Sequence, residues 1–294
     1  MKQLAAAAKK HLRGRMEQGR RNKMLKHITK NQTGLEIGPS LRPCAPKREG
    51  YQVEIVDHLS KEELTKKYEA MGLDTSQIEE VDYIWKGQSY TEVTGKTGYY
   101  DYVIASHVIE HVPDFVGFLK DCANMLKMDG ILSLAVPDKR FTLDHFRMST
   151  TAGKVINDYL SADKNGSTGA LTDYCSHVVS RGGETSWSPL RAPFMSKNYR
   201  FIHDETFNQK IFQDSIEESA FHDIHQNVFT PSSFELIIYE LWQYGLITFK
   251  IESIERSASA EFLVSLKKTA NRPNLSPKDR MKLIRKVSRE NLVR

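Results

Sequence analysis

Apolar residues along the chain alternate between a two-residue and a three-to-four-residue period. Thr33 to Gly38 and Tyr51 to Asp57 (YQVEIVD) read as short strands, the second β-branched and closed by an acid. Ser60-Lys61-Glu62-Glu63 is a capping box, which predicts a helix to about Met71 with Gly72 as its stop. Ile78 to Trp85 is expected as a third strand and Tyr100 to Ser106 (YDYVIAS) as a fourth. Pro113 suits a first helical turn, and Phe115, Phe118, Leu119, Cys122, Met125 and Leu126 share one helical face. Asp129-Gly130 should end that helix before a fifth strand, Ile131 to Val136. Strands alternating with helices at this spacing predict an α/β fold with a parallel sheet covered on both faces.

The rhythm stops at Pro137. From Asp138 to about Thr230 no clean strand is legible, and glycines, serines, aromatics and histidines are frequent. So long a connection predicts a substrate lid. It carries Tyr159, Tyr174, Trp187, Phe194, Tyr199 and Phe201 beside Arg181, Arg191 and Arg200. Regular structure returns as a helix from Pro231 to Leu246, then two strands, Ile247 to Ile254 and Glu261 to Lys267. With no helix between them, these predict an antiparallel hairpin at one edge of the sheet. Ahead of the core, Leu4, Ala8, Leu12 and Met16 form a helical stripe weakened by Gly14 and Gly19. The expected division is a basic helical extension (1–30), a core (31–137), an insertion (138–230), a closing helix and hairpin (231–267), and a basic tail (268–294).

Charge sharpens this division. Residues 1–30 hold ten Lys/Arg against one acid and residues 267–294 ten against two, so the central body is acidic although the whole chain is +5. Nucleic acid is therefore not an expected partner; the basic ends suit an anionic membrane, a partner protein or the acidic body of a second copy in a homodimer. No apolar run approaches the roughly 20 residues of a membrane span, and Leu4 to Ala8 is too short for a signal-peptide core. Cys44, Cys122 and Cys175 form neither a disulfide framework nor a zinc pattern, which favours a cytoplasmic location, with the inner membrane surface as a peripheral site.

The chemistry concentrates at Glu36-Ile37-Gly38-Pro39-Ser40. Gly38 allows a sharp turn and close backbone approach to a ligand, and Asp57 follows nineteen residues later, at the end of the next strand. That offset is close to the roughly 20 residues of nucleoside-binding α/β folds, where the acid accepts ribose hydroxyls. Ser40 and Pro43 stand where a dinucleotide fingerprint has its later glycines, and Pro39, Pro43 and Pro46 oppose a helix directly after the strand. A pyrophosphate site is thus disfavoured, and a nucleoside site is not.

LEIGPS (Leu35–Ser40), VDY (Val81–Tyr83), YDYVIASHVIEHVPD (Tyr100–Asp114) and LKMDGILSLAVPDKR (Leu126–Arg140) resemble the motifs of class I S-adenosylmethionine-dependent methyltransferases. Of these, ASHVIEHVPD is the most specific; it is similar to methyltransferases of the type 11 kind, associated with glycan and natural-product pathways. The resemblance covers about residues 31–140 and 231–267. It implies a Rossmann-like seven-stranded sheet, S-adenosylmethionine as cofactor and a small-molecule or glycan substrate. It also implies that Gly38, Pro39 and Ser40 approach the methionine part and that Glu36 lies near its amino group. Asp57, with His58 beside it, would hold the ribose; Asp82 and Tyr83 would border adenine; Ser106, His107 and His111 would close the methionine side.

Methyl transfer is an in-line displacement, so the protein positions the acceptor and, for a hydroxyl, removes a proton. His107, at the carboxyl end of the fourth strand, is the expected base, with His145, Asp138 and Arg140 as further catalytic candidates after the fifth strand. Arg140 would grip an anionic group. His222-x-x-His225 is helical but undiagnostic spacing, so no metal is expected. The leading expectation is O-methylation of a sugar, glycan intermediate or polar metabolite. The alternatives are a nucleic-acid or protein methyltransferase, which the absence of an Asn-Pro-Pro-Tyr-type motif after the fourth strand opposes, and a non-catalytic cofactor-binding subunit.

Overall fold

The computed structural model describes residues 14–161, 166–217, 221–271 and 275–292. The chain order is α1 (14–24), β1 (Thr33–Ile37), β2 (Gln52–Asp57), α2 (Lys61–Glu69), β3 (Tyr83–Ile84), α3 (Tyr90–Thr94), β4 (Tyr100–Ser106), α4 (Phe115–Met125) and β5 (Leu126–Pro137). The insertion supplies α5 (Ala152–Leu160), α6 (Thr168–His177), β6 (Val179–Arg181), β7 (Tyr199–Phe201) and α7 (Glu205–Glu217). Then come α8 (Pro231–Gln243), β8 (Phe249–Arg256), β9 (Glu261–Lys268) and α9 (Pro277–Asn291).

Seven strands form one sheet in the order β3-β2-β1-β4-β5-β9-β8, and β6 with β7 makes a separate antiparallel pair. Strands β1 to β5 pair in parallel, whereas β9 runs antiparallel to both β5 and β8. The architecture is the expected Rossmann-like seven-stranded sheet with its terminal hairpin. Both faces are covered, and β4 shows how. Tyr100, Val103 and Ala105 join a core with α4 and α8, while Tyr102 and Ile104 join a second core with Met24, Ile28 and Cys44. Gly34 permits the second packing, since a Cβ there would collide with the Tyr102 ring. Ser133 Oγ donates to the Met24 carbonyl at 2.7 Å and fixes α1 against β5.

Several expected boundaries move. Only Tyr83–Ile84 of the third strand pairs, because Glu79 turns away to accept the backbone N–H groups of Lys47 and Arg48. Asp114 caps α4, so Pro113 precedes the cap instead of occupying the first turn. Strand β5 starts directly at Leu126, and Asp129 takes a left-handed φ of 65° within it rather than ending a helix. Leu4, Ala8 and Leu12 lie outside the described residues, and Met16 is exposed; α1 packs through Arg20 and Met24. The basic tail is not an unattached arm: α9 packs on α8, burying Leu283 and Glu290, and Glu290 accepts the Ser232 N–H at 3.0 Å. Phe229, where the insertion rejoins the core, packs with Phe115 and Phe234 at centroid separations of 5.6 and 5.3 Å. Such aromatic pairs each add about 1 kcal/mol beyond burial. Among the described residues, no helix is long and apolar enough to cross a membrane.

Candidate active site

Strand β1 has parallel neighbours on both sides, β2 and β4, so the connections after β1 and β4 diverge and open a crevice at their carboxyl ends. The loop after β1 is sharply bent, with Gly38 at φ 62° and Ser40 at φ 45°. Gly38 N–H donates to Val56 O at 2.8 Å, and a Cβ on Gly38 would meet only Val108 Cγ2 at 3.5 Å. The ground above this turn is open. A left-handed Ser40 costs on the order of 1–3 kcal/mol. Asp57 offsets that strain by accepting the Ser40 N–H at 3.0 Å and lying 3.4 Å from its hydroxyl. The other Asp57 oxygen accepts the His58 N–H at 2.8 Å and lies 2.6 Å from its ring Nδ1, and Lys67 Nζ reaches His58 Nε2 at 3.0 Å.

The end of β4 holds a charged cluster whose members are far apart in sequence. Arg20 donates to Glu261 at 2.8 and 3.0 Å and to Ser106 Oγ at 2.7 Å. His107, left-handed at φ 56°, places Nε2 at 2.8 Å from Glu261 and Nδ1 at 3.3 Å from Glu110. Burial alone would lower its pKa, but the two carboxylates outweigh burial and push it up to about 9. Burial opposes ionisation of Glu261, yet His107 and Arg20 hold it well below the usual carboxylate range. His107 is therefore a cation at neutral pH, which corrects its expected role as base. Arg20 and Glu261 escaped the sequence reading because no local spacing links residues 241 positions apart.

Four cofactor assignments also change. Glu36 is buried and accepts the N–H groups of Cys44 and Ala45 at 2.6 and 3.1 Å, so it braces the loop after β1 instead of facing the crevice. Burial pushes its pKa up to about 7 against those two hydrogen bonds. Asp82 precedes β3 and accepts the Ile55 N–H at 2.6 Å and Lys47 Nζ at 2.5 Å. Asp57 is in register with Ile84, so the carboxyl end of β3 is Ile84–Trp85; Tyr83 packs against the core. Trp85, whose indole N–H donates to Gln88 O at 2.6 Å, stands at that edge instead. His111 packs edge-to-face on His225 of the insertion at 4.9 Å. Gly38, Pro39, Ser40, Asp57, His58 and Ser106 do gather at the β1–β2–β4 edge.

Beyond β5, Asp138 is fully engaged by Arg140, which donates from Nε at 2.8 Å and Nη2 at 2.5 Å, so it is not a free base. His145 is held by Arg140 O at Nδ1 (2.8 Å) and by the Tyr199 hydroxyl at Nε2 (3.1 Å), with the Tyr199 ring stacked on it at 5.0 Å. Burial pushes its pKa down to about 4, so it is neutral. Arg140 and His145 line a cavity of about 570 Å³ with Arg181, Lys197, Arg256 and Lys286.

Residues 9–213 match a family model described as a methyltransferase domain. The chain belongs to this methyltransferase family. No curated protein matches the sequence. Similar solved structures include one from Listeria monocytogenes described as an S-adenosylmethionine dependent methyltransferase (14% identity, TM-score 0.44, covering 88% of this chain and 99% of that one). A SAM-dependent methyltransferase from Methanosarcina mazei is 10% identical, with TM-score 0.41 and coverages of 84% and 96%. A Rhodobacter sphaeroides protein described as a Zn-dependent alcohol dehydrogenase is 11% identical, with TM-score 0.45 and coverages of 85% and 89%. The crevice fits S-adenosylmethionine, the methyl donor expected for a chain of this family. Gly38 leaves room for the ligand where a side chain would intrude, and Asp57 offers a carboxylate two of whose donors, the Ser40 hydroxyl and the His58 ring, sit on rotatable side chains.

Proposed function

We propose that this methyltransferase methylates a hydroxyl of a small, anionic, carbohydrate-like acceptor. The observation that carries the reading is the cavity of about 570 Å³ beside β5, whose wall combines Arg140, Arg181, Lys197, Arg256, Lys286 and Arg289 with one carboxylate, Glu290, and the neutral His145. Closely spaced cations on an acidic body select a compact anion, and guanidinium groups offer fork-shaped donors to carboxylate or phosphate. Arg181, on the cavity wall, packs on the Trp187 and Tyr199 rings at 5.6 and 5.4 Å, which holds its guanidinium in place.

When bound, S-adenosylmethionine supplies an electrophilic methyl group on a sulfonium. Gly38 and Ser40 would hold its methionine part through the backbone, Asp57 its ribose hydroxyls, and Trp85 would border its base. Ser106, with its hydroxyl fixed by Arg20, would close the methyl-bearing side. Positioning supplies most of the rate, since oriented reactants reach effective molarities of about 10⁵ M or more. His145 on the cavity wall is neutral, and its Nε2 already accepts a hydrogen bond from the Tyr199 hydroxyl at 3.1 Å. A base with a pKa near 4 accepts a proton only transiently, so the acceptor hydroxyl needs help to ionise.

The test is radiolabelled methyl transfer to a panel of neutral sugars, carboxylated or phosphorylated sugars, RNA and protein. Anionic sugars should be the best acceptors. Replacing Lys197→Ala and Arg256→Ala together should raise their KM about tenfold, or about 1.4 kcal/mol, with cofactor affinity unchanged. Transfer confined to RNA or protein would overturn the reading.

A further inference from the structure

Glu110, in the turn after β4, is 1% exposed, and neither of its carboxylate oxygens has a hydrogen bond. Its nearest cation, His107 Nδ1, lies 3.3 Å away as an ion pair and is shared with Glu261. A buried carboxylate left without hydrogen bonds costs several kcal/mol. What surrounds it is a set of metal-ligating groups. One ligand atom from each of Glu110, His111 and His225 lies within 4.8 Å of the others, the only such group of three among the described residues.

The geometry around this set is held from outside. His225 Nδ1 lies 2.5 Å from Asp144 Oδ2, and Asp144 is itself 1% exposed and paired with Arg147 at 2.7 Å. Arg147 also donates to the His225 carbonyl at 2.8 Å. In the neutral ring the Nδ1–H goes to this carboxylate and Nε2 offers its lone pair, the arrangement in which a second carboxylate orients a ligating histidine. The backbone clamps the two segments together: Asn227 N–H donates to Glu110 O at 3.0 Å, and its side chain donates to Val112 O at 2.8 Å. His111 Nδ1 lies 2.9 Å from the exposed Asp223, and its side chain is 32% accessible, so the set opens on the His111 side.

We propose that Glu110, His111 and His225 bind a divalent transition-metal ion, with Asp144 orienting His225. One carboxylate and two imidazoles suit Zn²⁺, Mn²⁺ or Fe²⁺ better than Mg²⁺ or Ca²⁺, and three protein ligands leave positions for a substrate oxygen. Its use in catalysis rests on the hydroxyl-acceptor reading above. The acceptor O–H ionises against the metal and its proton passes to water; the oxygen then bonds the methyl carbon as the carbon–sulfur bond breaks, releasing S-adenosylhomocysteine. This meets the need that a weakly basic His145 leaves open. Asp144, which orients His225, directly precedes the cavity-lining His145 in the chain.

The test titrates Zn²⁺ and Co²⁺ into untagged, chelator-stripped full-length protein without cofactor or acceptor, using calorimetry and the visible absorption of Co²⁺. Wild type should bind one ion per chain with a submicromolar Kd and give Co²⁺ bands that Zn²⁺ abolishes. Glu110→Gln and His111→Ala should each weaken binding at least 100-fold, and Asp144→Asn about tenfold. Retained S-adenosylhomocysteine binding establishes that each variant is folded. His111→Ala, at a partly exposed position, keeps the test open if a buried variant fails that check. No stoichiometric binding by wild type, or wild-type affinity in folded Glu110→Gln or His111→Ala, would overturn the proposal. Because the readout needs no acceptor, a metal bound without methyl transfer to sugars would count against the acceptor assignment and not against the site.

Discussion

The two halves of the sheet edge are built on different principles. On the β2–β1–β4 side, the site consists of a turned backbone and one carboxylate, Gly38 and Asp57, placed by adjacent parallel strands. On the β5–β9–β8 side it consists of side chains from α1, the insertion, the terminal hairpin and α9, brought together over long sequence distances. In the proposed reading, the first side holds a constant nucleoside ligand and the second an acceptor that a changed insertion could replace. On that reading, chemistry common to the family is stored in local geometry, and specificity in tertiary contacts.

Breaking the long-range side should destabilise the fold. Glu261→Gln leaves Arg20 and the half-exposed His107 facing each other without their shared buried carboxylate, which, allowing for solvent screening, costs about 2 kcal/mol. Denaturant unfolding should show this loss in the midpoint with an unchanged m value. An effect below about 0.5 kcal/mol would mean that the cluster does not tie α1 to the hairpin.

The local side should respond to pH through Glu36. Its carboxyl pKa is raised by burial from an ordinary 4.5 to about 7, so the folded state retains a proton that the unfolded state releases. The stability associated with protonated Glu36 is complete below about pH 4.5 and is lost as pH rises towards 7, amounting to about 2–3 kcal/mol. Relative to Glu36→Gln, wild type should therefore lose stability between pH 5 and 7.5 in chemical unfolding. Parallel pH profiles for the two proteins would contradict a protonated, loop-bracing Glu36.

What could be read from the sequence follows the same division. Strand β4 begins and ends where its apolar pattern does, and the Ser60 capping box forms as written. Gly38 and Asp57 were legible because a strand end and a spacing of nineteen residues are local quantities. The antiparallel β8–β9 hairpin at the sheet edge also followed from two strands lacking a helix between them, but that β9 is the strand beside β5 did not. Asp82 was misplaced because an acid beside a short strand can stand at either end, and only register decides which. His107 sat where a base was expected, but its charge state is set by Glu261, whose neighbourhood no periodicity reveals. The Glu110–His111–His225 group needed the fold to bring residue 225 onto the turn after β4.

The central claim is that the turn at Gly38 and the acid at Asp57 form a nucleoside cofactor site. Calorimetric titration of S-adenosylhomocysteine into wild type and Asp57→Ala tests it most directly. Wild type should bind one equivalent in the micromolar range or tighter, and Asp57→Ala, folded by its melting curve, should bind at least about 100-fold more weakly, or about 2.7 kcal/mol. Absence of binding to wild type, or equal affinity in the two proteins, would contradict the account.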